Sequence, residues 1–254
     1  MQGKAGALDT FSILLMTAGA FLLAGMVKGV IGLGLPTVAI GLLGLVMPPL
    51  QAAAILVVPS LVTNIWQATA GGAFRELVIR LWPLLAGIAV GTFIGATLVP
   101  RDTTGWSTVW LGLALSAYAA LGLVKVHFRV PVRSETWMGL LMGFLTGVIT
   151  IATGIFVLPM TPYIQSLQLD RDRLVQALGI SFTVSTLTLA PALAYAGEMS
   201  MAIAVPSAVA LVAALVGMVA GQWVRGQVSA QTFRLCFFLG LLLLGLHLAS
   251  RALL

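Results

Sequence analysis

Small residues and a proline interrupt the first apolar segment of the chain. Gly29, Gly32 and Gly34 are followed closely by Pro36. Glycine accepts backbone conformations that break a helix, and proline removes a backbone donor. A half-helix that begins near Pro36 would direct free amides and the positive end of its dipole toward an anion. We therefore predict a break at membrane depth in which Gly32, Gly34 and Pro36 line an anion site.

The same pattern occurs twice, in residues 25–34 and again in residues 143–152. Two glycines four positions apart are followed by Val-Ile in both, and the letters read GMVKGVIGLG in the first copy and GFLTGVITIA in the second. The second break would run from Thr150 through Thr153 and Gly154, with hydroxyl groups where the first copy has glycines. We predict that these groups complete the site.

Many other glycines have GxxxG spacing, and for these we predict close helix packing rather than ligand contact. The pairs and ladders with this spacing are Gly25/Gly29, Gly87/Gly91/Gly95, Gly143/Gly147 and Gly217/Gly221.

Lys28 is the one ionisable residue between Thr10 and Phe74. A cation in an apolar segment is costly unless it reaches the interface, pairs with another group or meets an anionic ligand. The sequence leaves open whether Lys28 extends to the membrane surface or attracts an anion.

Polar uncharged side chains cluster on the next helix of each half. Asn64 and Gln67, three residues apart, need partners inside a bilayer, and these could be another helix or a ligand. Ser181 and Ser185 are the candidates in the second half. The whole set is Ser60, Thr63, Asn64, Gln67, Ser181, Thr183, Ser185, Thr186 and Thr188.

The residue types of enzyme active sites are poorly represented. No Asp or Glu falls in the middle of an apolar segment, which disfavours a carboxylate proton relay, and neither HExxH nor GxSxG occurs. His127 and His247 are the only histidines, and Cys236 is the only cysteine. We predict no catalytic residues, no metal site and no cofactor.

Composition places the chain in a membrane. It is 60% hydrophobic and 8% charged, with a mean hydropathy of +1.10. The formal net charge of +6 comes from cations in short loops, which fits contact with anionic lipid rather than nucleic acid. The predicted fold is an all-α, polytopic integral membrane protein.

The two halves, 1–127 and 128–254, are predicted to be repeats within one membrane domain, each opening with a broken or re-entrant helix. If each opening segment crosses once, there are eight spans and the repeats are parallel. If each crosses twice, there are ten spans and the repeats are inverted. The distribution of Lys and Arg mildly favours ten, and both arrangements place the 125–133 loop in the cytoplasm.

Two halves that each open with a Gly-x-x-x-Gly-Val-Ile break, followed by a helix beginning near Gln-Ala, resemble the TauE/SafE sulfite exporter family. The resemblance covers nearly the whole chain. It implies an eight-helix permease of the bacterial cytoplasmic membrane that moves small sulfur-containing or organic anions, such as sulfite or organosulfonates.

We hypothesise alternating access at a site between the two broken helices. The alternatives are a permease for another small anion such as a carboxylate, an anion channel, or a non-transporting scaffold subunit. Assembly into a homo-oligomer stays open.

Overall fold

The computed structural model describes residues 2–98, 105–124 and 129–251, with the backbone alone for residues 2–10 and 230. Eight of its helices are long and apolar enough to cross a membrane, which confirms the predicted all-α polytopic fold. Two further helices, of 9 and 7 residues, are much shorter. In chain order the helices are α1 (Gln2–Ile31), α2 (Leu35–Leu43), α3 (Pro49–Thr69), α4 (Phe74–Leu98), α5 (Trp106–Val124), α6 (Glu135–Thr153), α7 (Met160–Ser166), α8 (Arg171–Tyr195), α9 (Ala204–Val224) and α10 (Ala230–Ser250).

Both predicted breaks are present. Between α1 and α2, Gly32 and Gly34 have φ angles of 80° and 106°, a conformation that glycine adopts without a steric penalty. Between α6 and α7, Gly154 has a φ angle of 78° and begins a non-helical segment that ends at Pro159. The second break starts later than predicted, because Thr150 still lies in the last turn of α6 and its carbonyl accepts from the Gly154 amide.

The glycine ladders hold two pairs of helices in close contact, as predicted. α1 packs on α9 and α4 packs on α6. Gly25 lies against the backbone of Ala214, and Gly29 lies against that of Met218, so α1 and α9 run in the same direction. The α4 and α6 helices are also parallel to each other: their ladders, 87–95 and 139–147, meet in register.

Two other helix pairs run antiparallel. On α3 and α8, Ala68 lies beside Gln176, whereas Ser60 lies beside Thr186. On α5 and α10, Gly112 lies against Ala249 and Gly122 lies against Phe238. Under the predicted alignment of the two halves, these pairs are the equivalent helices. Equivalent helices that point in opposite directions define inverted repeats.

The odd-numbered helices therefore run one way through the bundle, and the even-numbered helices run the other way. The short helices α2 and α7, with the breaks beside them, carry the chain back between the long helices. The prediction that eight spans imply parallel repeats is wrong for this reason. Eight long helices coexist with inverted repeats, because each return segment is too short to register as a span.

The two ends of the bundle differ in charge. We call one the basic end, which holds Arg75, Arg80, Arg129, Arg133, Arg171, Arg173, Arg225 and Arg234. The other, the terminal end, holds Arg251, whose guanidinium donates to the carbonyl of Leu45 at 2.8 Å. The positive-inside rule predicts that the basic end faces the cytoplasm. The predicted boundary at 127/128 lies outside the described residues.

The α1–α9 contact gives a stability test. A Cβ atom at Gly29 would collide with the carbonyl oxygen of Met218, whereas a Cβ atom at Gly19 on the same helix meets nothing within 4 Å. Overpacking costs about 1 to 3 kcal/mol, so we expect Gly29→Ala to lower the thermal unfolding midpoint of the detergent-solubilised protein. The matched Gly19→Ala variant should unfold like the parent. Equal midpoints for both variants would contradict the packing.

Candidate functional site

A cavity of about 260 Å³ opens at the basic end between α1, α3, α8 and α9. Its wall combines residues of the first break with residues of three other helices. We call it the Lys28 cavity, and its lining residues are Lys28, Gly29, Ile31, Gly32, Thr63, Trp66, Gln67, Ala70, Arg171, Asp172, Val175, Met218, Gln222 and Arg225.

Lys28 lies at the wall that α1 and α3 share. Lys28 is only 4% exposed, and its Nζ donates to the Oγ1 of Thr63 at 3.1 Å and to the Oδ1 of Asn64. None of the described carboxylates lies within salt-bridge distance of this ammonium group. The Lys28 side chain therefore turns into the protein instead of extending along the lipid surface.

The charges around the cavity are unbalanced. Lys28, Arg171 and Arg225 face it together with a single carboxylate, that of Asp172. Neither arginine forms a salt bridge with a described residue, whereas the neighbouring Arg173 pairs with Glu76 at 2.8 Å. Three cations against one carboxylate create a positive potential, which concentrates anions at the cavity.

Gln67 connects the first break to two other helices. Its Nε2 donates to the carbonyl of Gly32 at 2.9 Å and to the carbonyl of Val175 at 2.8 Å. The break frees the Gly32 carbonyl from the helix, and this bond satisfies it at the cavity wall. Gln67 therefore holds α1, α3 and α8 together at the cavity.

A chain of hydrogen bonds leads from the cavity into the centre of the bundle. The Nδ2 of Asn64 donates to the Oγ of Ser60 at 2.8 Å, and that hydroxyl lies 3.0 Å from the Oγ1 of Thr186 on α8. The partners of Asn64 are thus Lys28 on α1 and Ser60 on its own helix, and those of Gln67 lie in the first break and on α8.

The predicted residues Ser181 and Ser185 lie on α8, and neither lines the cavity. Ser185 donates to the carbonyl of Ser181 at 2.9 Å. The hydroxyl of Ser181 is buried, and no described residue is its hydrogen-bond partner.

Gly34 and Pro36 are also absent from the cavity wall. Both are buried in the first turn of α2, where a Cβ atom at Gly34 would meet Val27 and Phe237. The amide end of α2 is consequently packed against side chains of α1 and α10. The expectation that this end contributes the anion site is not supported by the geometry.

The second break lies at the opposite end of the bundle. Gly154 lies beside the carbonyl of Pro49 at the start of α3, whereas Gly32 bonds to Gln67 near its end. These positions on α3 are about 27 Å apart at 1.5 Å per residue. The prediction that the two breaks meet around one small ligand is therefore wrong, because inverted repeats place equivalent segments at opposite ends.

The hydroxyls of the second break are used locally. Thr150 donates to the carbonyl of Thr146 and Thr153 to the carbonyl of Ile149, both at 2.7 Å. Of the predicted set, the structure joins Lys28 to Asn64 and Gly32 to Gln67 beside the cavity, whereas its wall does not include Gly34, Pro36, Thr150, Thr153, Gly154, Ser181 or Ser185.

Sequence reasoning missed several polar residues of the cavity wall. The sequence predicts that Arg171 and Arg225 lie in loops facing lipid, because each adjoins the end of an apolar segment. Gln222 follows the last glycine of the α9 ladder. This polar residue in an apolar helix was a visible signal that the cavity extends to α9. Within the described residues, no group of His, Cys, Asp or Glu side chains is arranged to hold a metal ion.

Comparison with known proteins identifies the family of the chain. The family model described as Sulfite exporter TauE/SafE matches residues 17–248. The matched region contains both breaks and every residue that lines the Lys28 cavity. No curated protein and no solved structure matches the chain. With the match covering most of its length, the chain belongs to the TauE/SafE family of membrane permeases.

Proposed function

We propose that the chain carries a small oxyanion across the membrane, with sulfite or a short organosulfonate as the substrate, and that the anion binds in the Lys28 cavity. The observation that carries the proposal is the excess of positive charge around this cavity. Lys28, Arg171 and Arg225 are opposed only by Asp172. Burying an ammonium group without a carboxylate is costly in a membrane protein, so the presence of Lys28 here supports a functional role.

The donors of the cavity suit the oxygens of such an anion. A sulfite or sulfonate group presents several acceptor oxygens, and charged donors form the stronger hydrogen bonds. The guanidinium groups of Arg171 and Arg225 can each bind two oxygens, whereas the Lys28 ammonium acts as a compact point charge. The volume of about 260 Å³ lies just below the range of about 300 to 1,000 Å³ typical of small-molecule sites, which favours a small substrate.

Transport in proteoliposomes tests the proposal directly. Labelled sulfite, methanesulfonate and acetate are compared at equal concentrations, with and without a pH gradient. We expect saturable uptake of the sulfur oxyanions at least about tenfold above that of acetate, a difference of about 1.4 kcal/mol in transition-state or binding free energy. Preferential uptake of acetate would instead support the carboxylate permease. Absence of all three fluxes would support the scaffold, and conductance far above a carrier's turnover would support the channel.

The two arginines at the cavity should accelerate anion capture. We expect the double variant Arg171→Gln/Arg225→Gln to lower the uptake rate at subsaturating substrate about tenfold at low ionic strength, because electrostatic focusing raises association rates by at least that factor. The difference should shrink in high salt. Arg129→Gln, which removes an exposed cation at the same end but outside the cavity, is the control. Equal rates for the double variant and the control would argue against a capture role.

A further inference from the structure

A second pocket, of about 610 Å³, lies between α4 and α8 toward the terminal end. It is formed by the C-terminal halves of both helices. We call it the α4–α8 pocket, and it is lined by Ala89, Thr92, Phe93, Ala96, Thr97, Leu187, Thr188, Pro191, Ala192 and Tyr195.

Part of the wall of this pocket is equivalent, under the inverted repeat, to part of the wall of the Lys28 cavity. Aligning Gln51 with Gln176 pairs every α3 residue of the cavity wall with an α8 residue of the pocket wall. The pairs are Thr63 with Thr188, Trp66 with Pro191, Gln67 with Ala192, and Ala70 with Tyr195. Aligning Gly217 with Gly91 likewise pairs Met218 with Thr92 and Gln222 with Ala96. The wall residues that α3 and α9 contribute to the Lys28 cavity thus have counterparts in the α4–α8 pocket, whereas those of α1 and of the N-terminal end of α8 have none.

One polar group in the α4–α8 pocket lacks a partner. The Thr92 residue is 2% exposed, and its hydroxyl has no hydrogen bond to any described residue. Leaving a buried hydroxyl unsatisfied costs about 1 to 3 kcal/mol. Water or a ligand in the pocket would satisfy Thr92.

The two openings differ in charge. None of the residues that line the α4–α8 pocket is charged. Aligning Gly29 with Gly147 places Thr146 at the position of Lys28. Its hydroxyl is occupied, since it donates to Met142 and accepts from the Met160 amide.

We propose that the α4–α8 pocket is the opposite half of the transport pathway, and that it takes the same anion from the terminal end. This inference rests on the proposed function. Inverted repeats exchange their conformations during alternating access, so the half that is open at the basic end has a counterpart at the terminal end. The pocket offers the Thr92 hydroxyl instead of cations, because the hydroxyls of Thr97 and Thr188 donate to carbonyls of their own helices. Its affinity for the anion is accordingly lower than that of the Lys28 cavity.

Cysteine accessibility tests this inference. Cys236 is the only cysteine, so Cys236→Ser gives a background without thiols. Into it we would introduce Ala192→Cys in the α4–α8 pocket, Gln222→Cys in the Lys28 cavity, or Leu243→Cys on the exposed face of α10. A membrane-impermeant thiosulfonate reagent is then applied from each side, with and without methanesulfonate.

We expect Ala192→Cys to react from the terminal side, methanesulfonate to slow that reaction, and modification to block transport. Gln222→Cys should react from the basic side and show protection at lower methanesulfonate concentrations. Leu243→Cys, on the exposed face of α10, is expected to react from neither side. The inference would be overturned if Ala192→Cys also reacted from neither side, or if it reacted without protection by methanesulfonate. Failure of the proposed function would look different, because the Cys236→Ser parent would then show no uptake and Gln222→Cys would show no protection.

Discussion

Replacing Lys28 with methionine is expected to raise the Kd for methanesulfonate about 10- to 100-fold, since a hydrogen bond to a charged group contributes about 1.5 to 3 kcal/mol. The ammonium group is buried beside Thr63 and Asn64 and has no carboxylate partner among the described residues. Isothermal titration calorimetry of the purified protein measures the change. Arg129→Met is the control, because it removes one exposed cation from the same end without altering the cavity.

The same variant separates a functional lysine from a structural one. A buried, unpaired charge is unfavourable for folding, so an apolar side chain of similar length should leave thermal stability unchanged or raise it. Asn64 would keep the bond from its Nδ2 to Ser60, but its Oδ1 would lose the donor that Lys28 provides, which offsets part of that gain. Reduced binding with retained stability supports the anion site. Unchanged affinity together with a large loss of stability would show that Lys28 serves the fold.

Replacing Gln67 with glutamate is expected to abolish measurable transport. The Nε2 of Gln67 donates to Gly32 and Val175, and a carboxylate of the same shape cannot donate to either carbonyl. The new charge would also oppose the substrate, because two like charges about 6 Å apart repel by about 3 kcal/mol at an effective dielectric constant near 20. That energy corresponds to more than about 100-fold in Kd. Initial uptake and equilibrium binding are the measurements.

Gln67→Leu distinguishes the two causes. It removes the same hydrogen bonds without adding charge, so we expect it to transport more slowly than the parent but to keep measurable binding. Equal losses of transport in the leucine and glutamate variants would mean that the hydrogen bonds of Gln67, which join α1, α3 and α8, account for the whole effect. Normal transport by the glutamate variant would contradict an anion passing this residue.

Local anomalies in the sequence were sufficient to locate part of the site. Gly32 and Gly34 signalled the first break because closely spaced glycines are unfavourable within a helix. Lys28, Asn64 and Gln67 stood out because polar groups in apolar helices need partners. Each of these signals depends only on the type of a residue and on its immediate neighbours in the sequence. Four of the residues predicted in this way, Lys28, Gly32, Asn64 and Gln67, are joined by hydrogen bonds beside the cavity.

The rest of the site depends on how distant helices are arranged. Arg171 and Arg225 reach the cavity only because α8 and α9 pack beside α1 and α3. That arrangement follows from the inverted repeat, which the sequence left open because α2 and α7 are too short to indicate a crossing. The same inversion explains why the second break is remote: equivalence in sequence places Gly154 at the opposite end of α3 from Gly32.

Anomalous diffraction with bound selenite tests most directly whether the Lys28 cavity holds the transported oxyanion. Selenite has the charge and shape of sulfite, and protein with ordinary methionine leaves the ligand as the only source of selenium signal. We predict one strong anomalous peak between Lys28, Arg171 and Arg225, which is lost in Lys28→Met and displaced by excess sulfite. A peak elsewhere with an empty cavity, or no peak under conditions that saturate transport, would contradict the account.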